Sequence, residues 1–202
     1  MSTLPVVETF HSLQGEGLHA GRSAFFIRLG GCTVGCSWCD TKHSWPQTAH
    51  PTLELQTLAA EAAAAQQKGA SFVVITGGEP LHHDLDSFCQ ALAEATQSLP
   101  RHLETSGVDP LSGSFEWITL SPKSHKPPTQ QLLQRCDELK AVVHGPEDLS
   151  FAEAMAAQAP QAQWLLQPGW DSPQGQKLAI DFVRSNPAWR LSLQSHKWLG
   201  VR

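Results

Sequence analysis

Phe72-Val-Val-Ile-Thr76-Gly-Gly-Glu-Pro80 is the stretch on which the fold turns. A β-branched, apolar run with no polar alternation has the composition of a strand covered on both faces. Gly77-Gly78 stops it ahead of Pro80. On the N-terminal side, residues 53–68 are Ala-rich, with Leu55, Leu58, Ala59 and Ala62 at helical spacing and Thr52 as candidate N-cap. Earlier still, Ala24-Phe-Phe-Ile-Arg-Leu29 is a strand candidate ended by Gly30-Gly31. On the C-terminal side, Asp84 is the candidate cap of a helix running to about Ser98, where Leu85, Phe88, Cys89 and Leu92 share a face and Pro100 follows.

The alternation continues. Further strands are expected at 101–104, 117–120, 138–143, 164–167 and 190–194, and helices near 148–158 and 174–185. Residues 105–116, with Gly, Pro and Ser, read as loop. Strands alternating with helices imply a parallel sheet with covering helices. About six or seven strands in 202 residues are too few for a closed eight-unit barrel, which takes about 250. An incomplete barrel or an open parallel sheet fits better, as one domain over 1–202. In either, chemistry gathers beyond the carboxyl ends of the strands. Four polar or glycine-rich motifs fall there: the cysteine loop after Leu29, Gly77-Gly78-Glu79-Pro80, Ser121-Pro122-Lys123 and Gln167-Pro168-Gly169.

Composition narrows the class. Lys plus Arg number 14 against 19 Asp plus Glu, a net charge of −5, which argues against a nucleic-acid scaffold. A hydrophobic content of 41% supports a packed core. No apolar run approaches the roughly twenty residues of a bilayer span, and Met-Ser-Thr-Leu-Pro lacks the features of a secretory signal. A cytoplasmic location is the expectation.

Three of the five cysteines fall in Cys32-Thr-Val-Gly-Cys36-Ser-Trp-Cys39, a C-x3-C-x2-C loop. Such crowding, with an odd total, is a metal or cluster pattern rather than a disulfide framework. A 4Fe–4S cluster normally takes four thiolates, so three leave one iron open to an outside ligand. The rival is structural zinc closed by His43, although zinc sites usually join two separated ligand pairs. Cys89 and Cys136 stand alone and read as packed thiols.

The cysteine loop after a first strand resembles the cluster motif of the radical S-adenosylmethionine (SAM) superfamily, and Gly77-Gly78-Glu79-Pro80 its second motif. More specifically, Phe10-His-Ser-Leu-Gln-Gly-Glu-Gly17, Trp38-Cys-Asp-Thr41, Ser121-Pro-Lys123 and Ser192-Leu-Gln-Ser-His-Lys197 are similar to the 7-carboxy-7-deazaguanine synthase family. The resemblance covers residues 6–202 and implies a partial parallel β/α barrel. It further implies that SAM chelates the open iron and, on one-electron reduction, yields a 5′-deoxyadenosyl radical, so the protein itself supplies orientation and exclusion of water.

The family substrate is implied to be 6-carboxy-5,6,7,8-tetrahydropterin. Gln14 and Glu16, in a loop with Leu13, Gly15 and Gly17, suit its pyrimidinone edge. Arg28, a charge inside an apolar strand, suits its carboxylate, the bland alternative being an internal salt bridge. Thr76 adds a hydroxyl, and the terminal carboxylate of Arg202, with His196 and Lys197, approaches from the tail. For SAM, Gly78 lets backbone approach the ligand closely, with Glu79 a partner for the amino group. Ser121, Pro122 and Lys123 serve the ribose or carboxylate. Gln167, Pro168, Gly169 and Trp170 close over the adenine, and Trp38, Cys39 and Asp40 complete the SAM set. Cys32, Cys36 and Cys39 ligate the cluster, and Thr41 contributes to a Mg²⁺ shared with the substrate carboxylate. No side chain is expected to be the catalytic group, since SAM carries the radical. The remaining histidines, His82-His83 included, read as solvated or packed.

The resemblance also implies a homodimer and an electron donor whose identity the sequence does not give. Two other readings stay open: a radical SAM activase that acts on a protein partner, and a zinc-binding interaction domain.

Overall fold

The computed structural model describes residues 2–97 and 99–202. Among the described residues nine strands form one sheet in the order β3-β1-β2-β4-β5-β6-β7-β8-β9. They are β1 (Thr3–Leu13), β2 (Ser23–Leu29), β3 (Thr52–Glu54), β4 (Val73–Gly77), β5 (Arg101–Thr105), β6 (Trp117–Leu120), β7 (Glu138–Val143), β8 (Gln163–Pro168) and β9 (Trp189–Leu191). The helices are α1 (Leu55–Gln67), α2 (Asp86–Thr96), α3 (Gln130–Arg135), α4 (Pro146–Ala156), α5 (Pro173–Ser185) and α6 (Ser195–Leu199). From β2 to β9 every neighbouring pair is parallel, and the two edge strands β3 and β9 do not meet. The architecture is therefore an incomplete β/α barrel.

The expected parallel sheet carries two further strands at its start. β1 runs antiparallel to β2, and the short β3 pairs antiparallel with β1. Thr52 is not an N-cap: it pairs with Pro5 in the sheet, and α1 opens at Leu55 behind Glu54. The second helix opens at Asp86, after Leu85, and Asp84 reaches in to accept the Asp86 amide at 3.0 Å. That helix ends at Thr96, and its expected end at Ser98 lies outside the described residues. The last strand stops at Leu191, short of 194. The helices α3 and α6 add to those expected from spacing.

Period-two alternation divides each central strand between two environments. Phe25, Ile27 and Leu29 of β2, Val73 and Ile75 of β4, Leu103 of β5, Ile118 and Leu120 of β6, and Leu139, Ala141 and Val143 of β7 all join the core beneath the helices. A second, smaller cluster of Ala24, Phe26, Phe72 and Val74, with Phe10 against it, fills part of the concave side. Cys89 and Cys136 are packed thiols, 2% and 1% exposed. Among the described residues no helix is long and apolar enough to cross a membrane.

Candidate active site at the open end of the strands

The alternate positions of the same strands build the site. Arg28 (β2), Thr76 (β4), Glu104 (β5), Thr119 (β6), Lys140 (β7) and Gln167 (β8) all line one cavity of about 760 Å³. Register holds the first four side by side, with Arg28 paired to Thr76 and Glu104 to Thr119, while Lys140 and Gln167 stand successively further along their strands, since Thr119 pairs with Glu138 and Gln167 with Val142. Six consecutive parallel strands thus each give one polar side chain to a common cavity, four of them at one level. Below these four the strands turn apolar or aromatic, with Phe26, Val74, His102 and Trp117 two residues earlier in their strands. The volume falls within the roughly 300–1,000 Å³ of small-molecule sites.

Loops at the strand ends close over this cavity. Cys32, Cys36 and Cys39 all line the cavity. The flanks of their loop are tied to one segment, since Gly31 N donates to Ser44 O at 2.8 Å and Cys32 N to Trp45 O at 3.1 Å. Burial pushes the Cys32 and Cys36 thiols up from their ordinary value. His43 is exposed and lies outside the cavity lining.

Gly77-Gly78 lines the cavity and also permits a close approach between two backbone segments. A Cβ on Gly78 would sit 2.3 Å from Gly31 O and 2.8 Å from Cys32 Cβ, and one on Gly77 would sit 2.2 Å from Leu29 O. The missing side chains let β4 press against the root of the cysteine loop, and Glu79 N completes the join on Gly31 O at 2.9 Å. Glu79 is 1% exposed and fully engaged: Oε1 accepts from Thr105 Oγ1 and Leu81 N, and Oε2 from the Ser106 amide and hydroxyl. Its carboxylate locks the loop after β4 to the loop after β5 and still borders the cavity.

Ion pairs organise the remainder. Arg28 Nε donates to Glu8 Oε1 at 3.0 Å, the internal salt bridge of the bland reading, and Arg202 Nη2 reaches Glu8 Oε2 at 2.8 Å. Both arginines still line the cavity. Glu16 pairs with Lys140 and accepts from Gln194 at 2.8 Å. Gln14, 8% exposed, donates to Glu104 at 2.9 Å and accepts the Glu16 amide at 3.1 Å. Thr76 donates to the other oxygen of Glu104 at 3.1 Å. Lys197 takes Asp40 at 2.6 Å and lies 4.9 Å from the Trp170 ring centre. Gln167 accepts from Ser192 at 2.8 Å.

Lys123 is the exception: among the described residues it is a cavity cation with no carboxylate in contact. Its ammonium donates to Ser121 at 2.7 Å and lies 4.9 Å from the Trp38 ring centre. Burial lowers its pKa, and the neighbouring Cys36 acts in the opposite sense.

Of the residues expected at the site from sequence, only Pro122 is absent from the cavity wall; it is buried behind Ser121 and Lys123. Leu13, Gly15, Thr41, Pro168 and Gly169 all line it. Sequence reasoning missed Glu8, Glu104, Thr119 and Lys140. For Lys140 a signal was present, a charge at the alternate position of a strand whose other face is Leu139, Ala141 and Val143.

The chain is similar to known proteins. A family model described as the radical SAM superfamily matches residues 26–144. The 7-carboxy-7-deazaguanine synthase of Prochlorococcus marinus is 54% identical, with 100% of each chain covered. The chain belongs to the 7-carboxy-7-deazaguanine synthase family of radical SAM proteins. Another member, from Synechocystis, is 48% identical over 98% of this chain and 93% of its own. The crystal structure of QueE from Escherichia coli superposes with a TM-score of 0.83 at 32% identity, covering 96% of this chain and 95% of that one.

Family membership brings a 4Fe–4S cluster and SAM, and Mg²⁺ is consistent with it. The residues present fit these groups. Three free thiols on one loop face a common cavity, and beside Cys36 lies the part-buried Lys123 ammonium, which among the described residues contacts no carboxylate, the complement of an anionic thiolate-bound cluster. Thr41, whose hydroxyl is 3.5 Å from Cys39 Sγ, offers an oxygen on the same wall, suited to a hard cation.

Proposed function

We propose that the chain contracts the ring of 6-carboxy-5,6,7,8-tetrahydropterin to 7-carboxy-7-deazaguanine with release of ammonia, as a single domain over 1–202. The observation that carries this reading is the shared cavity: Cys32, Cys36 and Cys39 border the same space as the strand-borne row of Arg28, Thr76 and Glu104. Identity with a synthase over the full chain supports it.

In this reading Cys32, Cys36 and Cys39 hold the cluster. The SAM set is Trp38, Cys39, Asp40, Gly78, Glu79, Ser121, Pro122, Lys123 and Gln167 to Trp170. Thr41 gives an oxygen to Mg²⁺. When bound, the cluster and SAM supply one-electron cleavage of a carbon–sulfur bond and, through it, removal of one hydrogen atom. The overall change is loss of one ammonia with no net oxidation, so that hydrogen must be returned and the substrate must stay in register throughout.

The chain's own residues provide that hold. Arg28 keeps Nε on Glu8 and turns its Nη fork to the substrate carboxylate. Glu104 accepts from Gln14 and Thr76 and, with lone pairs to spare, takes N–H donors of the pyrimidinone edge. Glu16 acts from behind: bound to Lys140 and Gln194, it fixes the loop of Leu13, Gln14 and Gly15 against the cavity. Arg202, anchored on Glu8 and through its backbone carbonyl on Ser12 at 2.5 Å, borders the substrate end. Trp38 and Trp170 stand at the mouth, half-exposed, where a bound ligand would cover them and exclude water.

A homodimer and an external electron donor belong to this reading, and the exposed Trp198 and Leu199 of α6 are consistent with a covered face. The five unpaired thiols fit a reducing, cytoplasmic setting. The test is anaerobic reconstitution followed by SAM, a reductant, Mg²⁺ and the carboxypterin. Ring-contracted product and ammonia in equal amounts are expected. An intact cluster with no such product would overturn the assignment.

A further inference from the structure

The middle of the cysteine loop has little backbone support of its own. Residues 30–36 form no helix or strand, and Thr33 and Gly35 are exposed. The loop's flanks are tied to Ser44 and Trp45, but the span between Cys32 and Cys36 is held by side chains from elsewhere. Thr33 N donates to His82 Nε2 at 3.0 Å, and the Thr33 hydroxyl lies 3.1 Å from the same nitrogen. From the other side, His125 Nε2 donates to Val34 O at 3.1 Å and Lys126 reaches Thr33 Oγ1 at 3.3 Å.

The protonation pattern of His82 follows from its partners. A backbone N–H can only donate, so Nε2 is the acceptor and the ring proton sits on Nδ1. Asp109 accepts that proton's hydrogen bond through Oδ2. The carboxylate thereby fixes both the tautomer and the ring orientation, as outer-shell carboxylates do for metal-site histidines. His82 ends the short 3₁₀ turn Pro80–His82, and Asp109 lies beyond Thr105 and Ser106. These are the two loops that Glu79 binds together. The dyad therefore stands on a base fixed by Glu79 and extends from it to the exposed middle of the cluster loop.

We propose that His82, oriented by Asp109, is a positioning residue that fixes the backbone at Thr33 and so holds Cys32 and Cys36 in the arrangement that binds the cluster. It touches neither the cluster nor the substrate. Because Thr33 is exposed, water replaces the lost bond when His82 is removed. Global stability then changes little, while the thiols lose their fixed spacing. This rests on the cluster reading of the three cysteines.

The experiment compares anaerobically reconstituted wild type, His82→Ala, His82→Gln and Asp109→Ala. Iron release to a ferrous chelator is followed by absorbance, the midpoint potential by spectroelectrochemistry, and apo-protein melting by circular dichroism. A glutamine carbonyl occupies the Nε2 position and accepts from Thr33. Alanine at 82 should release iron faster by about tenfold or more, in line with the ~10–100-fold losses seen for outer-shell changes. Asp109→Ala should move the same way, His82→Gln should return most of the retention, and the apo melts should coincide. Should His82→Ala melt early, Asp109→Ala, which keeps the imidazole, carries the comparison. Wild-type retention in both alanine variants overturns the clamp. Failure of wild type itself to assemble iron and sulfide would instead overturn the cluster reading.

Discussion

Glu16, in the loop after β1, and Lys140 of β7 are ion-paired across the cavity wall although 124 positions separate them. Burial raises the Glu16 pKa, but the Lys140 charge and hydrogen bonds from Lys140, Gln194 and Gln167 outweigh it and hold the carboxyl at about 2. Burial also lowers the Lys140 pKa, and the surrounding Glu16, Glu104 and Glu138 reverse that and raise it.

Removing one partner of such a pair leaves a buried charge uncompensated. Lys140→Met should cost about 3–5 kcal/mol at pH 7 by denaturant titration. The sign with pH follows from Glu16, whose folded value of about 2 lies below the ordinary 4.5. Its contribution is complete above pH 4.5 and is lost as pH falls toward 2. The gap between wild type and Lys140→Met should therefore narrow over that range. A constant gap would show that the pair is not what the substitution breaks.

Gly78→Ala tests the contact between β4 and the cysteine loop. The new methyl would press on Gly31 O and Cys32 Cβ, backbone and ligand root rather than a flexible tip. Overpacking of this kind costs about 1–3 kcal/mol. The variant should melt lower as apo-protein and hold less iron per chain after reconstitution. Normal values for both would mean that the loop yields freely.

The legible part of this fold was its apolar half. Val73–Gly77 and Glu138–Val143 announce themselves through runs that bury on the helix side, and the motifs at their carboxyl ends mark where a ligand sits. β1 did not, because Thr3–Leu13 mixes Glu8, Thr9 and His11 into a strand with a register shift between Val6 and Glu8. β3 is three residues long, too short for any period to show, and it took Thr52 from the expected helix cap. The cysteine loop was readable because its ligands are local. Partnerships were not: whether Arg28 faces a ligand or Glu8, and whether Glu16 faces a ligand or Lys140, depends on which strands become neighbours.

His102 gives a pH dependence of a different origin. It is stacked on Phe72 at 4.1 Å between ring centres, with His19 at 4.6 Å. Arg22, whose Nη1 lies 2.6 Å from His19 Nδ1, and Glu116 are the other charged groups nearby. Burial, then the His19 and Arg22 charges, lowers its pKa from 6.5 to about 3, with Glu116 opposing. The unfolded chain binds a proton there first, so this contribution is complete above pH 6.5 and is lost as pH falls toward 3. His102→Phe should lose less stability than wild type between pH 7.5 and 5 in urea titrations. Equal losses would place the acid sensitivity elsewhere.

Arg28 separates a binding role from a structural one. Its Nε is committed to Glu8, so any ligand carboxylate must use the Nη fork. Arg28→Lys keeps the charge and loses the fork. A hydrogen bond to a charged group is worth about 1.5–3 kcal/mol, so kcat/KM for the carboxypterin should fall roughly ten- to hundredfold. If the arginine binds the carboxylate equally before and during the reaction, the change appears in KM. Glu8→Gln leaves the fork in place and should cost far less. Were Glu8→Gln to match Arg28→Lys in both kcat and KM, the arginine would serve only its partner on β1, and the substrate carboxylate would need another cation; Lys123 would then be the first to examine, since it alone among the cavity lysines and arginines contacts no carboxylate in the described residues.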